Sequence, residues 1–359
     1  MFKKFLAPLD GSENSERITG EVAALAKSLG SEVVLLAVVD PDETGDFAGI
    51  KSEVADRPSD PGGIGSREVA PLVEPELSAV AGPVARGMPA GTAPPGPNVN
   101  RQQIVERAVE QARRYLARCA DRFKRHDVKV TTSVAVGKPS DEILAEAKRQ
   151  EADVLALATS RSSSLARGVL GSVTDRVLRE SELPTLVMRP DTDARDPSGT
   201  DASGPRTVIV PLDGSEQSEI AAPVGIALAK ATGANLVFLH ATGFATGPTA
   251  SWPASYQAFE YARGVEEEGT GAEARRYLAP FVDQARADGV NAEPVAYSGG
   301  AASRIIDATN ELPGSMVVMS TRGRSGIQRW LLGSVTDKVI RSSGRPVLVL
   351  PPAYANKQQ

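Results

Sequence analysis

The chain has little of what most metal and redox sites are made from. Its 359 residues include one cysteine, Cys119, and two histidines, His126 and His240. Those counts exclude a disulfide framework and a Cys/His zinc site, and no other metal site is legible. Aromatic residues are also scarce at 4%, so the core has to be built from Ala, Val, Leu and Ile. An excess of basic charge is missing too: 40 Lys and Arg stand against 45 Asp and Glu, a net charge of −5. A general affinity for nucleic acid or an anionic membrane needs a basic footprint, so neither partner is expected. No apolar run approaches the ~18 residues of a membrane span. The first ten residues are too weakly apolar for a secretory signal, and a cytoplasmic location is expected. Finally, there is no G-x-x-x-x-G-K-[S/T] phosphate loop, because Gly137-Lys-Pro-Ser140 lacks the upstream glycine.

What is present is a repeat. The segment Pro8-Leu-Asp-Gly-Ser-Glu13 recurs unchanged at Pro211 to Glu216, shifted by 203 residues. Ser15/Ser218, Ala26/Ala229, Lys27/Lys230 and Gly30/Gly233 keep that shift. Gly171-Ser-Val-Thr-Asp175 recurs at Gly333 to Asp337, shifted by 162, and Gly137/Gly299, Ile143/Ile305, Arg179/Arg341 and Pro184/Pro346 follow it. Two blocks in the same order mark a tandem duplication. The first domain then covers 1–190 and the second 206–352, with a polar linker at 191–205 and a tail at 353–359. The first copy holds extra material at 41–100, where ten Pro and nine Gly break any period of 2 or 3.6. That composition predicts a long mobile excursion, with a short helical piece near 66–80.

Short apolar runs at 5–9, 32–39, 129–136, 154–159 and 185–188 read as strands of the first copy. Those at 207–212, 235–240, 292–297, 316–320 and 347–350 belong to the second. They are continuous Val/Leu/Ala runs without strict alternation, as in a parallel sheet covered on both faces. Helical patterns at 15–29, 101–125, 141–149 and 173–180, with counterparts in the second copy, fall between them. Gly30 and Gly233 stand where a helix end requires a left-handed residue. The expected fold is α/β: two tandem doubly wound domains, each a five-stranded parallel sheet with helices on both faces. Ligands of such sheets bind beyond the carboxyl ends of the strands.

Three features reach that edge. Asp10-Gly-Ser12 and Asp213-Gly-Ser215 follow the first strand of each copy. The aspartate there can accept from a ribose hydroxyl or an adenine amine, or it can simply cap the next helix. Ser320-Thr-Arg-Gly-Arg-Ser-Gly326 follows the fourth strand of copy two, and Gly333-Ser334 opens the last helix. Open amides at that helix start, the Ser334 and Thr336 hydroxyls, and positive charge from Arg322 and Arg324 together suit a phosphate. The bland alternative is a solvated arginine loop beside an ordinary cap. Gly137 and Gly299, after the third strands, read as turn residues, and His240 as a packed strand-end histidine.

With the strand-end Asp-Gly-Ser in both copies and a G-x2-G-x9-G-[S/T] pattern near each copy's end, the sequence resembles the universal stress protein family in its tandem form. The resemblance covers 1–40, 101–190 and 206–352. It implies ATP binding, accompanied by Mg2+ when a triphosphate is bound, with AMP or a cyclic nucleotide as alternatives. It further implies a stress-response or signalling role rather than a dedicated catalyst, with slow ATP hydrolysis at most. Carried over residue by residue, it points to Pro211, Leu212, Asp213, Ala241, Met319, Ser320, Arg322, Gly323, Gly333, Ser334, Val335 and Thr336, although Ser320 replaces the first glycine of the pattern. In copy one Pro8, Leu9, Asp10, Val38, Gly171, Ser172, Val173 and Thr174 are the weaker counterparts. There Ala158 and Arg161 stand where the pattern has glycines. Some members of the family lack the glycine loop and act by dimerising, which is the alternative reading. The final strands, apolar and exposed at a sheet edge, are expected to pair the two copies as an internal pseudo-dimer, and the resemblance also allows a homodimer.

The two copies control for each other. Changing Gly323 to Arg makes the second loop imitate Arg161. The long side chain then occupies the volume a phosphate needs, and its charge returns only ~1 kcal/mol at an exposed site. ATP affinity is expected to fall at least about tenfold, roughly 1.4 kcal/mol. Titration calorimetry on a variant with a native circular dichroism spectrum checks this, and unaltered binding refutes the phosphate-loop assignment.

Overall fold

A computed structural model describes residues 1–42, 97–159, 170–189, 204–242, 270–321 and 332–356. In the first copy the strands are β1 (Lys4–Pro8), β2 (Glu32–Val39), β3 (Val130–Val136), β4 (Val154–Ala158) and β5 (Thr185–Met188). The helices between them are α1 (Glu13–Leu29), α2 (Pro97–Lys124), α3 (Pro139–Arg149) and α4 (Ser172–Glu180). The second copy has β6 (Thr207–Pro211), β7 (Asn235–Thr242), β8 (Ala292–Ser298), β9 (Ser315–Ser320) and β10 (Val347–Leu350). Its helices are α5 (Glu216–Glu219), α6 (Ala221–Thr232), α7 (Thr270–Ala287), α8 (Ala301–Glu311) and α9 (Ser334–Ser342), and a short α10 (Ala353–Asn356) forms in the tail. Every expected strand is present within two residues at either end. Helix α2 begins at Pro97, inside the stretch read as an excursion. Most of that stretch, its helical piece near 66–80, most of the linker, and Arg161 lie outside the described residues.

One expectation needs correction. The first helix of copy one is continuous over 17 residues, but its counterpart is split into α5 and α6 at Ile220. Pro223 stands where copy one has Gly20. A proline has no N–H to offer the carbonyl four residues back, so the helical ladder fails at that turn. Gly30 and Gly233 do close their helices in the left-handed conformation, at φ 65° and 70°.

All ten strands form a single sheet, in the order β3-β2-β1-β4-β5-β10-β9-β6-β7-β8. Each copy is parallel throughout, and the order reads the same from either end. The copies meet where β5 and β10 pair antiparallel, Leu186 opposite Leu348 and Val187 opposite Val347. On one face α1, α2, α6 and α7 cover a hydrophobic core that runs unbroken across this seam. On the other, the core beneath α8 and α9 reaches across the seam to Leu178 and Val187, while α3 and α4 cover a second core in copy one. In each copy the chain reverses its direction of winding between its first and fourth strands, β1/β4 and β6/β9. A crevice therefore opens there, at the strands' carboxyl ends.

Leu186 is fully buried at the seam. Leu186→Ala removes its contacts with both copies and leaves a cavity, so stability is expected to drop by about 2–5 kcal/mol. Chemical denaturation measures it, and a change below 1 kcal/mol would show that the seam carries little.

Candidate functional site

At the end of β6 the chain turns on Asp213-Gly214-Ser215. One carboxylate oxygen of Asp213 accepts from the Ser215 N–H at 3.0 Å and from the Ser215 hydroxyl at 2.6 Å. Gly214 takes φ 82°, a left-handed conformation costly for any residue with a Cβ. The Ser215 hydroxyl caps α5 by accepting from the Ser218 N–H at 3.2 Å. The Ser218 hydroxyl in turn accepts from the Asp213 N–H at 3.2 Å and donates to the Ser215 carbonyl at 2.8 Å. Copy one repeats the turn: Asp10 accepts from the Ser12 N–H at 2.9 Å, Gly11 takes φ 82°, and Ser15 binds the Asp10 N–H. The capping role of Asp-Gly-Ser is thus realised in both halves. In copy two the same turn also forms one wall of a cavity.

That cavity, of about 290 Å³, occupies the β6/β9 crevice on the α8/α9 side of the sheet. Its apolar lining comes from Leu212, Leu239, Ala241, Ala301, Ile305, Met319 and Val335. The polar lining comes from Asp213, Ser218, Ser320, Ser334 and Thr336. The helix start in its wall is held firmly. Gly333 donates its N–H to the Thr321 carbonyl at 2.8 Å, and the buried Thr336 hydroxyl donates to the Ser320 carbonyl at 2.9 Å. Gly333 occupies the N-cap of α9 in an extended conformation and has no side chain to accept the first-turn amides. An uncapped helix start is electropositive and ready to receive an anion or a carbonyl.

Ten of the twelve residues picked out in copy two line this cavity: Pro211, Leu212, Asp213, Ala241, Met319, Ser320, Gly333, Ser334, Val335 and Thr336. Arg322 and Gly323 lie outside the described residues. Four lining residues were missed: Ser218, Leu239, Ala301 and Ile305. Ser218 had a signal, since Ser15 repeats it at the same distance from the Asp-Gly-Ser turn. Ala301 and Ile305 are one helical turn apart on α8, and only the winding of the sheet brings that helix over the cavity.

In copy one the structure brings Pro8, Leu9, Asp10 and Val38 to the end of β1 and β2. Gly171 and Ser172 open α4, also without a side-chain cap, followed by Val173 and Thr174. The Thr174 hydroxyl reaches the Ala158 carbonyl at 3.4 Å, a looser tie than its counterpart in copy two. His240 does not line the cavity. As a neighbour of Ala241 on β7 it faces the opposite side of the sheet. There its Nδ1 lies 2.7 Å from the Leu212 carbonyl and its ring packs edge-on to Tyr277. Among the described residues no cluster of three or more His, Cys, Asp or Glu side chains could hold a metal ion, and no helix is long and apolar enough to cross a membrane.

The whole arrangement has relatives. The chain is 30% identical to a universal stress protein of Mycobacterium tuberculosis over 201 residues, which is 55% of this chain and 62% of that protein. It thus spans under two thirds of that relative's length. A universal stress protein of Bacillus subtilis matches over 143 residues at 31% identity, 40% of this chain and 97% of its own. In three dimensions the chain is similar to a universal stress protein from Archaeoglobus fulgidus, with a TM-score of 0.59 at 18% identity, covering 97% of this chain and 96% of that one. It is similar also to a functionally unknown protein from Pseudomonas aeruginosa, with a TM-score of 0.57 at 14% identity, covering 99% and 95%. The model of the universal stress protein family matches residues 1–86, 84–189 and 205–351. With nearly its full length so matched, the chain belongs to the universal stress protein family.

Proposed function

We propose that this protein is an adenine-nucleotide-binding stress or signalling protein whose ligand occupies the cavity of the second copy. The observation that carries the reading is the convergence, on one crevice, of an apolar slot, a strand-end aspartate turn and an uncapped helix start. A nucleotide has three parts that ask for those surroundings: a flat base, a hydroxylated sugar and an anion. The base is assigned to the slot beside Ala241, the ribose to the side of Asp213, and the phosphates to the start of α9 with Ser334 and Thr336. ATP with Mg2+ is the proposed ligand, AMP or a cyclic nucleotide the alternatives.

Binding rather than catalysis is proposed because the turn already engages the polar groups nearest the ligand. One Asp213 oxygen serves Ser215, and the Thr336 hydroxyl serves Ser320. At most, slow hydrolysis would accompany such a site. The first copy is proposed as the half that supports the assembly and not the ligand, because Ala158 and Arg161 stand in its loop sequence where the pattern has glycines. A binder of this kind would act in the cytoplasm through a change of state passed to a partner, and not through nucleic acid or membrane.

Mass spectrometry of the gently purified, then denatured chain should release an adenine nucleotide. Ala241→Trp fills the slot with an indole ring while its backbone stays in β7. ATP affinity is expected to fall at least about tenfold, roughly 1.4 kcal/mol, with the fold retained by circular dichroism. A folded Ala241→Trp chain that binds ATP as the wild type does would place the ligand elsewhere, and a wild type that binds no adenine nucleotide ends the reading.

A further inference from the structure

Behind the cavity wall, on the opposite face of the sheet, lies a polar cluster that no part of the cavity accounts for. The His240 Nδ1 sits 2.7 Å from the Leu212 carbonyl. A carbonyl can only accept, so Nδ1 is the protonated nitrogen. The imidazole is braced by the Tyr277 ring, at a centroid distance of 5.4 Å and an interplanar angle of 64°. The Tyr277 hydroxyl donates to the Glu219 carboxylate at 2.8 Å, so the brace is anchored to α5.

The geometry assigns a purpose to this cluster: His240 is a positioning residue that fixes the peptide joining Leu212 to Asp213, and so sets the cavity wall against which a ligand binds. The inference rests on the nucleotide reading for the identity of that ligand. A peptide group is a rigid plane, so hydrogen bonds at both of its ends stop its rotation. This peptide has both: its C=O is held by His240 and its N–H by the Ser218 hydroxyl at 3.2 Å. Both tethers come from side chains, and both residues they hold line the cavity.

Copy one shows the same place without the clamp. Its Asp10 N–H still reaches Ser15 at 3.3 Å, and Leu9 still donates to Leu36 as Leu212 does to Leu239, each at 2.8 Å. But Ala37 stands at the position of His240 and offers no side-chain donor to Leu9. The anchor is diverted as well. Glu16, the counterpart of Glu219, pairs with Arg122 at 2.8 Å, whereas copy two has Gln284 there and leaves Glu219 to Tyr277. The clamp therefore belongs to one copy alone, the copy to which the nucleotide is assigned.

Two substitutions in the full chain separate the hydrogen bond from packing. His240→Leu keeps an apolar side chain and removes the donor, whereas His240→Asn keeps an N–H donor near the place of Nδ1. Without nucleotide, amide exchange at Asp213 is expected to quicken at least about fivefold in His240→Leu and to return in His240→Asn, with β8 amides unchanged in both. With ATP, the Kd is expected to rise at least about fivefold in His240→Leu and recover in His240→Asn. Should His240→Leu fail to fold, His240→Ala replaces it. Unchanged exchange at Asp213, or two variants that behave alike, overturns the clamp. Faster exchange with unchanged ATP affinity overturns its role in binding. If the wild type binds no nucleotide, the nucleotide reading fails, and the exchange measurement alone decides the clamp.

Discussion

The antiparallel pairing of β5 with β10 is the contact on which the rest of the architecture depends. A five-stranded copy standing alone would present Thr185–Met188 or Val347–Leu350 as an open, largely apolar edge. Such an edge is a template for uncontrolled pairing. Joining the two edges removes both at once and turns two sheets into one of ten strands. Among the described residues the remaining edges are β3 and β8, and β8 carries Glu293 and Pro294, residues that discourage a further strand. The seam also joins the cores of the two copies. On one face Leu186 and Leu348 connect the layers beneath α1 and α6, and on the other Val187 shares a core with Val347 and Val349.

The seam bears on the cavity through α9. This helix begins at the cavity with Ser334, Val335 and Thr336, and one turn later sends Asp337 to pair with Arg341 at 2.8 Å. Arg341 in turn offers its carbonyl to Arg189, which follows β5 in the other copy. The half-exposed ion pair is worth little by itself. Position is what matters: a displaced α9 would disturb both the helix start and the seam, so a cavity wall in one copy is mechanically continuous with the other copy.

Much of this was legible in the sequence because duplication makes chemistry visible as repetition. Pro-Leu-Asp-Gly-Ser-Glu, repeated with the same neighbours, located both strand-end turns, and the Gly-Ser-Val-Thr-Asp block located both helix starts. The winding rules for α/β sheets then placed those pieces at one edge. Residues whose role depends on a helix arriving from elsewhere could not be read in this way. Ala301 and Ile305 carry no chemical mark, and on α8 they look like any apolar pair one turn apart. The break at Ile220 was hidden for a different reason. Pro223 is a clear signal, but the repeat, read as a whole, argued for a continuous helix, and a local loss of one N–H prevailed over it.

Repetition also limits what a motif can prove. The Asp-Gly-Ser turn has the same serine N–H to aspartate bond, the same glycine conformation and the same serine cap in both copies, so its residues are accounted for by local geometry before any ligand is considered. A shared feature cannot explain a difference between the halves. The discriminating positions are those where duplication has been followed by change: Ser320 against Ala158, Ala241 against Val38, and His240 against Ala37; Thr336 and Thr174 are the same residue, held at 2.9 Å and 3.4 Å. Each change lies at the crevice or directly behind it, while the seam and the helix ends retain their pattern. Hydrophobic burial fixes the shared scaffold, and it tolerates exchanges such as Ala for Val with small adjustments. A binding surface depends instead on the direction of a few polar groups, and one altered donor is enough to change it. Two copies under one folding constraint can therefore keep one architecture and still differ in what they hold.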